Sequence, residues 1–218
     1  NITNVNDVAP VISSSATFSA AENQTAIGSV EASDVEGDDL TYAVSGSEIS
    51  ISSSGVLSFI AAPDYESKTS YSATITVNDG VNSTSQDITV NITNVNDVAP
   101  VISSSATFSA AENQTAIGSV SASDAEGDDL TYAVSGDEIS ISNSGVLAFK
   151  NAPDYESKST YTETVTVSDG VNSSTQDITV NITNVNDVAP VISSSATFSA
   201  AENQTAIGSV EASDVEGD

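Results

Sequence analysis

The sequence is 218 residues long and carries 31 Asp plus Glu against three Lys plus Arg, a formal net charge of −28. That balance excludes nucleic acid as a natural partner, since neutralising phosphates needs Lys and Arg, and disfavours an anionic membrane surface for the same reason; cations are the expected partners. Cys, Met, Trp and His are absent, which removes disulfides, thiol chemistry, a Cys/His zinc site and imidazole acid–base work.

Self-similarity sets the organisation. The segment Asn-Ile-Thr-Asn-Val-Asn-Asp-Val-Ala-Pro runs from Asn1 to Pro10, again from Asn91 to Pro100 and again from Asn181 to Pro190, a period of 90 residues. Residues 1–90 and 91–180 differ at 15 positions, and 181–218 repeat 1–38 unchanged. A 90-residue unit is a small independent domain rather than a solenoid repeat. The expected organisation is a segment of a longer array: the end of a preceding repeat at 1–7, repeat one at 8–97, repeat two at 98–187, and the opening strands of a third at 188–218. Disorder is not expected, because the 38% of hydrophobic residues alternate in short runs. No run approaches the roughly 20 apolar residues of a membrane span, so no membrane insertion is expected.

In repeat one, Val11 to Ala20 is expected to be extended, and Ala26 to Ala32 sets Ile27 and Val30 around a Gly. Leu40, Tyr42 and Val44 alternate with polar residues, as do Ile49 and Ile51, and Gly55 opens Val56 to Phe59. The clearest signal is Tyr71 to Val77, followed by Asn78-Asp79-Gly80 and the answering run Ile88 to Ile92. Period-two alternation, β-branched enrichment and turn signals about every 8 to 12 residues predict an all-β sandwich of about seven strands. Asp79-Gly80 is a hairpin signal, since Gly tolerates positive φ, and Asp39 to Val44 with the Ser45-Gly46 turn is expected to behave in the same way. No segment has the i, i+3, i+4 apolar spacing of a helix. The acidic residues therefore fall in loops at the domain ends.

One difference between the repeats tests the strand register. Ala73 is replaced by Glu163, on the face that Tyr161, Val165 and Val167 should send inward. A buried unpaired carboxylate is costly, so Glu163 is expected at the rim of the sandwich.

The loops carry an ordered set of acidic motifs. Ala21-Glu22-Asn23 comes near the start, then Asp34-Val35-Glu36-Gly37, then Asp64-Tyr65-Glu66, then Asp79-Gly80, and finally Asn94-Val95-Asn96-Asp97-Val98-Ala99-Pro100. Over essentially the whole repeat this set resembles the cadherin repeat family in its bacterial cadherin-like form. The resemblance implies tandem seven-stranded Greek-key β-sandwiches, cadherin- or immunoglobulin-like, with calcium bound between successive domains. At the first junction it implies Glu22, Asp64 and Glu66 from repeat one, Asn96 and Asp97 from the linker, and Asp124, Glu126 and Asp169 from repeat two. At the next it implies Glu112, Asp154, Glu156, Asn186, Asp187, Asp214 and Glu216.

Hard-cation chemistry points the same way: calcium takes about six to eight oxygens from carboxylates, amides and main-chain carbonyls. The seven carboxylates at the first junction balance about three divalent ions. Departures from the family leave two ions as the alternative. Asn94 and Asn184 replace the usual first Asp of the linker, Val98 and Val188 replace the Asn before Ala-Pro, and Asp124-Ala125-Glu126 replaces Asp-x-Asp. Glu31, Asp38, Asp39, Glu48 and Asp87 are expected to be solvated surface, while Asp79 and Asp169 serve as turn formers and ligands at once.

Catalysis is not expected. Asp64 and Glu66 lie two residues apart on one short loop, without the cleft in which a glycosidase sets two acids across a bond. Tyr65 and Tyr155 are expected to fill the sandwich end rather than stack on a sugar. The Asn-x-Ser/Thr triplets at Asn23, Asn82 and Asn91 are expected by chance in a Ser/Thr-rich chain.

The function expected is a structural extender of a bacterial cell-surface or secreted adhesin, a rod whose partners are calcium ions and the adjacent repeats. Two alternatives stand beside it. One is a carbohydrate-binding module recognising extracellular polysaccharide. The other is a subunit of a self-assembling extracellular filament, in which a neighbouring copy completes the opening strands of repeat three.

Overall fold

The computed structural model describes residues 5–215. The chain divides into two compact units, and the boundary falls between Asn96 and Asp97.

The first unit contains β1 Val11–Ile12, β2 Thr17–Ala21, β3 Ala26–Ser29, β4 Ala32–Ser33, β5 Thr41–Val44, β6 Ile49–Ile51, β7 Val56–Phe59, β8 Ser70–Asn78 and β9 Ser83–Thr93. A four-stranded sheet in the order β2-β9-β8-β5 faces a three-stranded sheet in the order β3-β7-β6, and β1 and β4 form a small antiparallel ladder. These seven sandwich strands are the number expected. Strand β2 runs parallel to β9, with Thr17 opposite Thr89 and Ala21 opposite Thr93. Chain segments leaving β2 and β9 therefore emerge at the same end of the sandwich.

Alternation explains which residues go inside. On β8 and β9 the buried set is Ile75, Val77, Ile88, Val90 and Ile92, and Ile49, Leu57 and Phe59 meet it from the other sheet. Each such side chain contributes about 1.5–3 kcal/mol on leaving water, so the one-residue register shift that would turn this face outward is strongly disfavoured. Hydroxyl and acid groups line the opposite face, where Thr74 Oγ1 donates to Asp87 at 2.7 Å and Thr76 pairs with Ser85 at 3.0 Å. Gly55 is required by its place: its φ is +82°, and a Cβ there would stand 2.5 Å from the carbonyl oxygen of Val30.

The Asp79-Gly80 hairpin forms with Asn78 opposite Ser83, leaving a four-residue loop. Asp79 Oδ1 accepts the Val81 and Asn82 N–H groups at 2.8 and 2.7 Å, which stabilises the longer loop. The expected hairpin at Ser45-Gly46 does not form. β5 pairs with β8 and β6 pairs with β7, so this turn carries the chain from one sheet to the other. A turn signal marks a change of direction but does not say which strand becomes the partner.

The second unit repeats the pattern with β10 Val101–Ile102, β11 Thr107–Ala111, β12 Ala116–Ser119, β13 Ala122–Ser123, β14 Thr131–Val134, β15 Ile139–Ile141, β16 Val146–Phe149, β17 Thr160–Ser168 and β18 Ser173–Thr183. Its sheets run β11-β18-β17-β14 and β12-β16-β15. Tyr161, Val165 and Val167 are buried, as expected of that face. Glu163 lies on it half-buried, just beyond the last paired residue of β14, where it accepts the Ser135 hydroxyl at 2.8 Å over Gly136. It sits at the rim, where the edge strand ends.

After β18, the described residues include one further ladder, β19 Val191–Ile192 with β20 Ala212–Ser213. Phe198, Ile207 and Val210 are exposed by 44%, 66% and 65%, whereas the matching Ile27 and Val30 of the first unit pack into or against its core.

Candidate metal centre

Parallel pairing assembles the acidic pole at the end of each unit where β2 or β11 finishes. In the second unit Ala111 stands opposite Thr183, so Glu112 emerges beside the segment leaving β18. The Glu112 N–H donates to Thr183 O at 3.2 Å, and Asn113, with φ +60°, donates its N–H to Pro153 O at 3.0 Å. That left-handed step turns the chain onto the loop between β16 and β17. Asn is among the non-Gly residues that tolerate it best.

Glu112 is 2% exposed. Its Oε2 accepts the Tyr155 N–H at 2.8 Å and its Oε1 accepts the Val185 N–H at 2.6 Å. Glu112, Glu156 and Asp187 each offer a carboxylate oxygen, all within 4.8 Å of one another, and Asp187 also accepts the Asn113 side-chain amide. In the first unit Glu22 repeats the arrangement, accepting Tyr65 N–H at 2.8 Å and Val95 N–H at 2.7 Å, with a Glu66 oxygen within 4.8 Å.

Asp64 and Asp154 do not join these groups. Asp154 accepts the Ser157 hydroxyl at 2.8 Å and the Ser157 N–H at 3.3 Å, closing its own turn. Asp64 does the same with Ser67, at 2.9 and 3.3 Å. In each case the serine hydroxyl, helped by main-chain N–H groups, holds the carboxyl below its usual pKa against the opposing effect of desolvation.

A second acidic cluster lies where the chain enters each unit. Asp34 Oδ1 accepts the N–H groups of Glu36, Gly37 and Asp38 at 2.8, 3.0 and 3.4 Å, and Glu36 Oε2 accepts those of Asp7 and Val8 at 3.0 Å each. Asn6 donates its amide to Asp79 O at 3.1 Å and accepts from Asn82 at 3.2 Å. Burial pushes the Asp79 carboxyl up, but the Asn82 and Val81 N–H groups outweigh it, so its pKa is lowered. Oxygens of Asp34, Glu36 and Asp38 lie within 4.8 Å of one another. In the second unit Asp124 caps the turn through Glu126 and Gly127 at 2.9 and 3.1 Å, and Glu126 accepts the Asp97 and Val98 N–H groups at 3.0 and 3.1 Å. Asp124, Glu126 and Asp128 form the equivalent cluster.

The donor set fits a hard divalent cation. Two oxygens on one calcium ion stand at most about 4.6–5.2 Å apart, given ligand distances of about 2.3–2.6 Å, and oxygens of these groups lie within 4.8 Å of one another. Like charges so close repel by about 1 kcal/mol per pair in water and more where solvent is partly excluded. Asp34 Oδ2, Asp38 Oδ2, Asp79 Oδ2 and Asp124 Oδ2 are buried, with no hydrogen-bond partner among the described residues. Buried polar atoms are normally satisfied, and a cation would satisfy these.

Of the other expected ligands, Asn96 is half-buried, Asn186 exposed, Asp214 half-buried and Asp169 9% exposed, with its Oδ1 accepting the Val171 and Asn172 N–H groups. Glu216 lies outside the described residues. Asp38, expected as solvated surface, is instead half-buried in the entry cluster. The spacing Asp34-x-Glu36-Gly37-Asp38 carried that signal, since a Gly turn with φ +84° folds positions i, i+2 and i+4 together. Tyr65 packs against the core while Tyr155 is 38% exposed. Lys68 and Lys158 lie over the rings of Tyr71 and Tyr161 at 4.1 and 4.2 Å.

Comparison with known proteins agrees with this architecture. The bacterial Ig domain family matches residues 6–93 and again 96–183. Chitinase A of Pseudoalteromonas piscicida is 36% identical over 179 residues, 80% of this chain; the chain spans 22% of that protein's length. Among solved structures, mouse cadherin-23 EC22-24 superposes with a TM-score of 0.74 at 20% identity, covering 86% of this chain and 71% of that one. Human protocadherin-24 EC1-2 gives 0.71 at 19% identity, covering 82% and 99%. No helix among the described residues is long and apolar enough to cross a membrane. With its strand order, its two matched segments and its cadherin-like sandwich, the chain belongs to the bacterial Ig domain family as a tandem of cadherin-like repeats.

Proposed function

We propose that this chain is a structural extender of a bacterial cell-surface or secreted adhesin, stiffened by calcium at the junctions between repeats. The observation that carries the proposal is the clustering of Glu112, Glu156 and Asp187, each recurring at a 90-residue period, together with the buried unpartnered oxygens of the entry cluster. The first junction would use Glu22, Glu66, Asn96, Asp97, Asp124, Glu126 and Asp169, with Asp64 left to close its own turn. The second would use Glu112, Glu156, Asn186, Asp187, Asp214 and Glu216, with Asp154 left to close its own turn. Bound calcium supplies positive charge shared among carboxylates. The chain's own residues do the rest: Glu22 and Glu112 anchor the linker, Asp34 and Asp124 shape the entry turn, and Glu36 and Glu126 grip the incoming main chain. Without a cation the carboxylates repel, an effect that salt partly screens. Near identity of the repeats suits a spacer, in which every domain has the same task.

Small-angle scattering and thermal melting of the full chain, with millimolar calcium and with chelator, test this. A longer maximum dimension and a raised melting temperature in calcium are expected. If neither moves, the proposal fails.

The likeness to a chitinase favours one second function, a carbohydrate-binding module. It needs an exposed aromatic platform, yet the rings of Tyr71 and Tyr161 lie under Lys68 and Lys158. Retention on chitin or cellulose in a pull-down would favour it over the extender.

A further inference from the structure

Glu112 is a buried carboxylate with no cationic side chain to balance it. Among the described residues the ion pairs are Lys68–Glu48, Lys150–Asp137 and Lys158–Glu138, all at the surface. Each oxygen of Glu112 instead receives one main-chain N–H: Tyr155 from the loop after β16, and Val185 from the segment leaving β18. Glu112 follows β11, so one side chain joins three stretches of chain far apart in sequence. Glu22 makes the same pair of bonds with Tyr65 and Val95 in the first unit.

We infer that Glu22 and Glu112 are cation-independent latches, which hold the linker and the acidic loop in place before any ion binds. Main-chain N–H groups occupy both oxygens of each carboxylate at charge-assisted distances, and these bonds are made by the protein alone. Isosteric Gln cannot replace it, because its amide NH2 would face one of the two N–H donors, leaving that donor buried and unpaired. The acidic pole is thus organised by the protein, and Glu156 and Asp187 are held close together in advance. The inference concerns the protein in chelator, so it stands or falls apart from the calcium proposal.

The experiment uses the full chain and its E22Q/E112Q variant, both in excess chelator and labelled with 15N only at tyrosine, of which there are six. In the wild type the Tyr65 and Tyr155 amides should exchange slowly with solvent. In the variant the neutral Gln oxygen can hold only one N–H of each pair and holds it without charge assistance, so the Tyr65 and Tyr155 amides should exchange faster, by about tenfold or more where Gln turns its NH2 toward them, while the strand residues Tyr42, Tyr71, Tyr132 and Tyr161 keep their wild-type chemical shifts. The variant should also melt at a lower temperature in chelator. A residue acting only as an ion ligand gives the opposite sign, since removing a negative charge beside Glu156 and Asp187 relieves repulsion and raises that melting temperature. Slow exchange at Tyr65 and Tyr155 in the chelated wild type supports the latch even if the variant fails to fold. Solvent-rate exchange there, or a variant that melts higher, overturns it.

Discussion

Ala111 stands opposite Thr183 in a parallel pair, and that one register relation sets Glu112 beside the segment that leaves the domain. The acidic loop between β16 and β17 comes to the same pole, so the Glu112 carboxylate bonds Tyr155 and Val185, 43 and 73 positions further along the chain. The chemistry of the pole follows from this pairing.

Replacing Asp97 by Ala should reduce the calcium-induced rise in melting temperature while leaving stability in chelator within about 0.5 kcal/mol, because Asp97 is exposed and its main-chain N–H contact to Glu126 survives. Calorimetry with and without calcium separates the two effects.

The buried Oδ2 of Asp38 belongs with Asp34 and Glu36. If the entry clusters hold calcium as proposed, Asp38→Asn together with Asp128→Asn should weaken its binding, measured by titration calorimetry, by about threefold to tenfold, since each cluster loses one charge. Far-UV circular dichroism should be unchanged. Unaltered affinity would return Asp38 to the solvated surface.

Gly55→Ala and Gly145→Ala should each destabilise their domain by about 1–3 kcal/mol in urea unfolding. Both glycines have φ near +80°, and the added Cβ would meet the carbonyl oxygen of Val30 or Val120 at 2.5 or 2.3 Å. Backbone carbonyls cannot rotate away as a flexible side chain can.

Asp64, Asp79 and Asp154 have lowered pKa values in the folded chain. Their folded values lie below the unfolded ones, so the folded state binds fewer protons than the unfolded state in that window. Their contribution is fully present above the ordinary Asp value of about 3.9 and is lost as pH falls through the folded values. The share of stability in chelator that comes from these three carboxyls should therefore hold steady from neutrality down to about pH 4 and decline below it, read as the difference between wild type and a D64N/D79N/D154N variant melted across that range. Ser67→Ala should raise the Asp64 titration midpoint seen by NMR, since the Ser67 hydroxyl is the largest influence lowering it.

Much of the fold was legible in the chain because alternation is local. The run Tyr71 to Val77 and its answer at Ile88 to Ile92 name their own buried faces, and the structure buries Ile75, Val77, Ile88, Val90 and Ile92. The rim position of Glu163 was legible for the same reason, since a carboxylate on an inward face has to find an edge. The second hairpin was misjudged because the Ser45-Gly46 turn looks alike whether its strands pair with each other or pass to opposite sheets.

The candidate centre divides along the same line. By itself the sequence determined the 90-residue repetition, the acidic loops and the residue types a hard cation prefers, because each is a matter of composition and spacing. Only the tertiary structure decided that Glu112, Glu156 and Asp187 meet while Asp154 turns into its own loop, and that Asp38 joins Asp34 and Glu36. It also decided that Glu22 and Glu112 point inward at main-chain N–H groups. The physical reason is that a carboxylate's role depends on which donors the folded backbone brings within hydrogen-bond reach, and long-range strand pairing sets those donors.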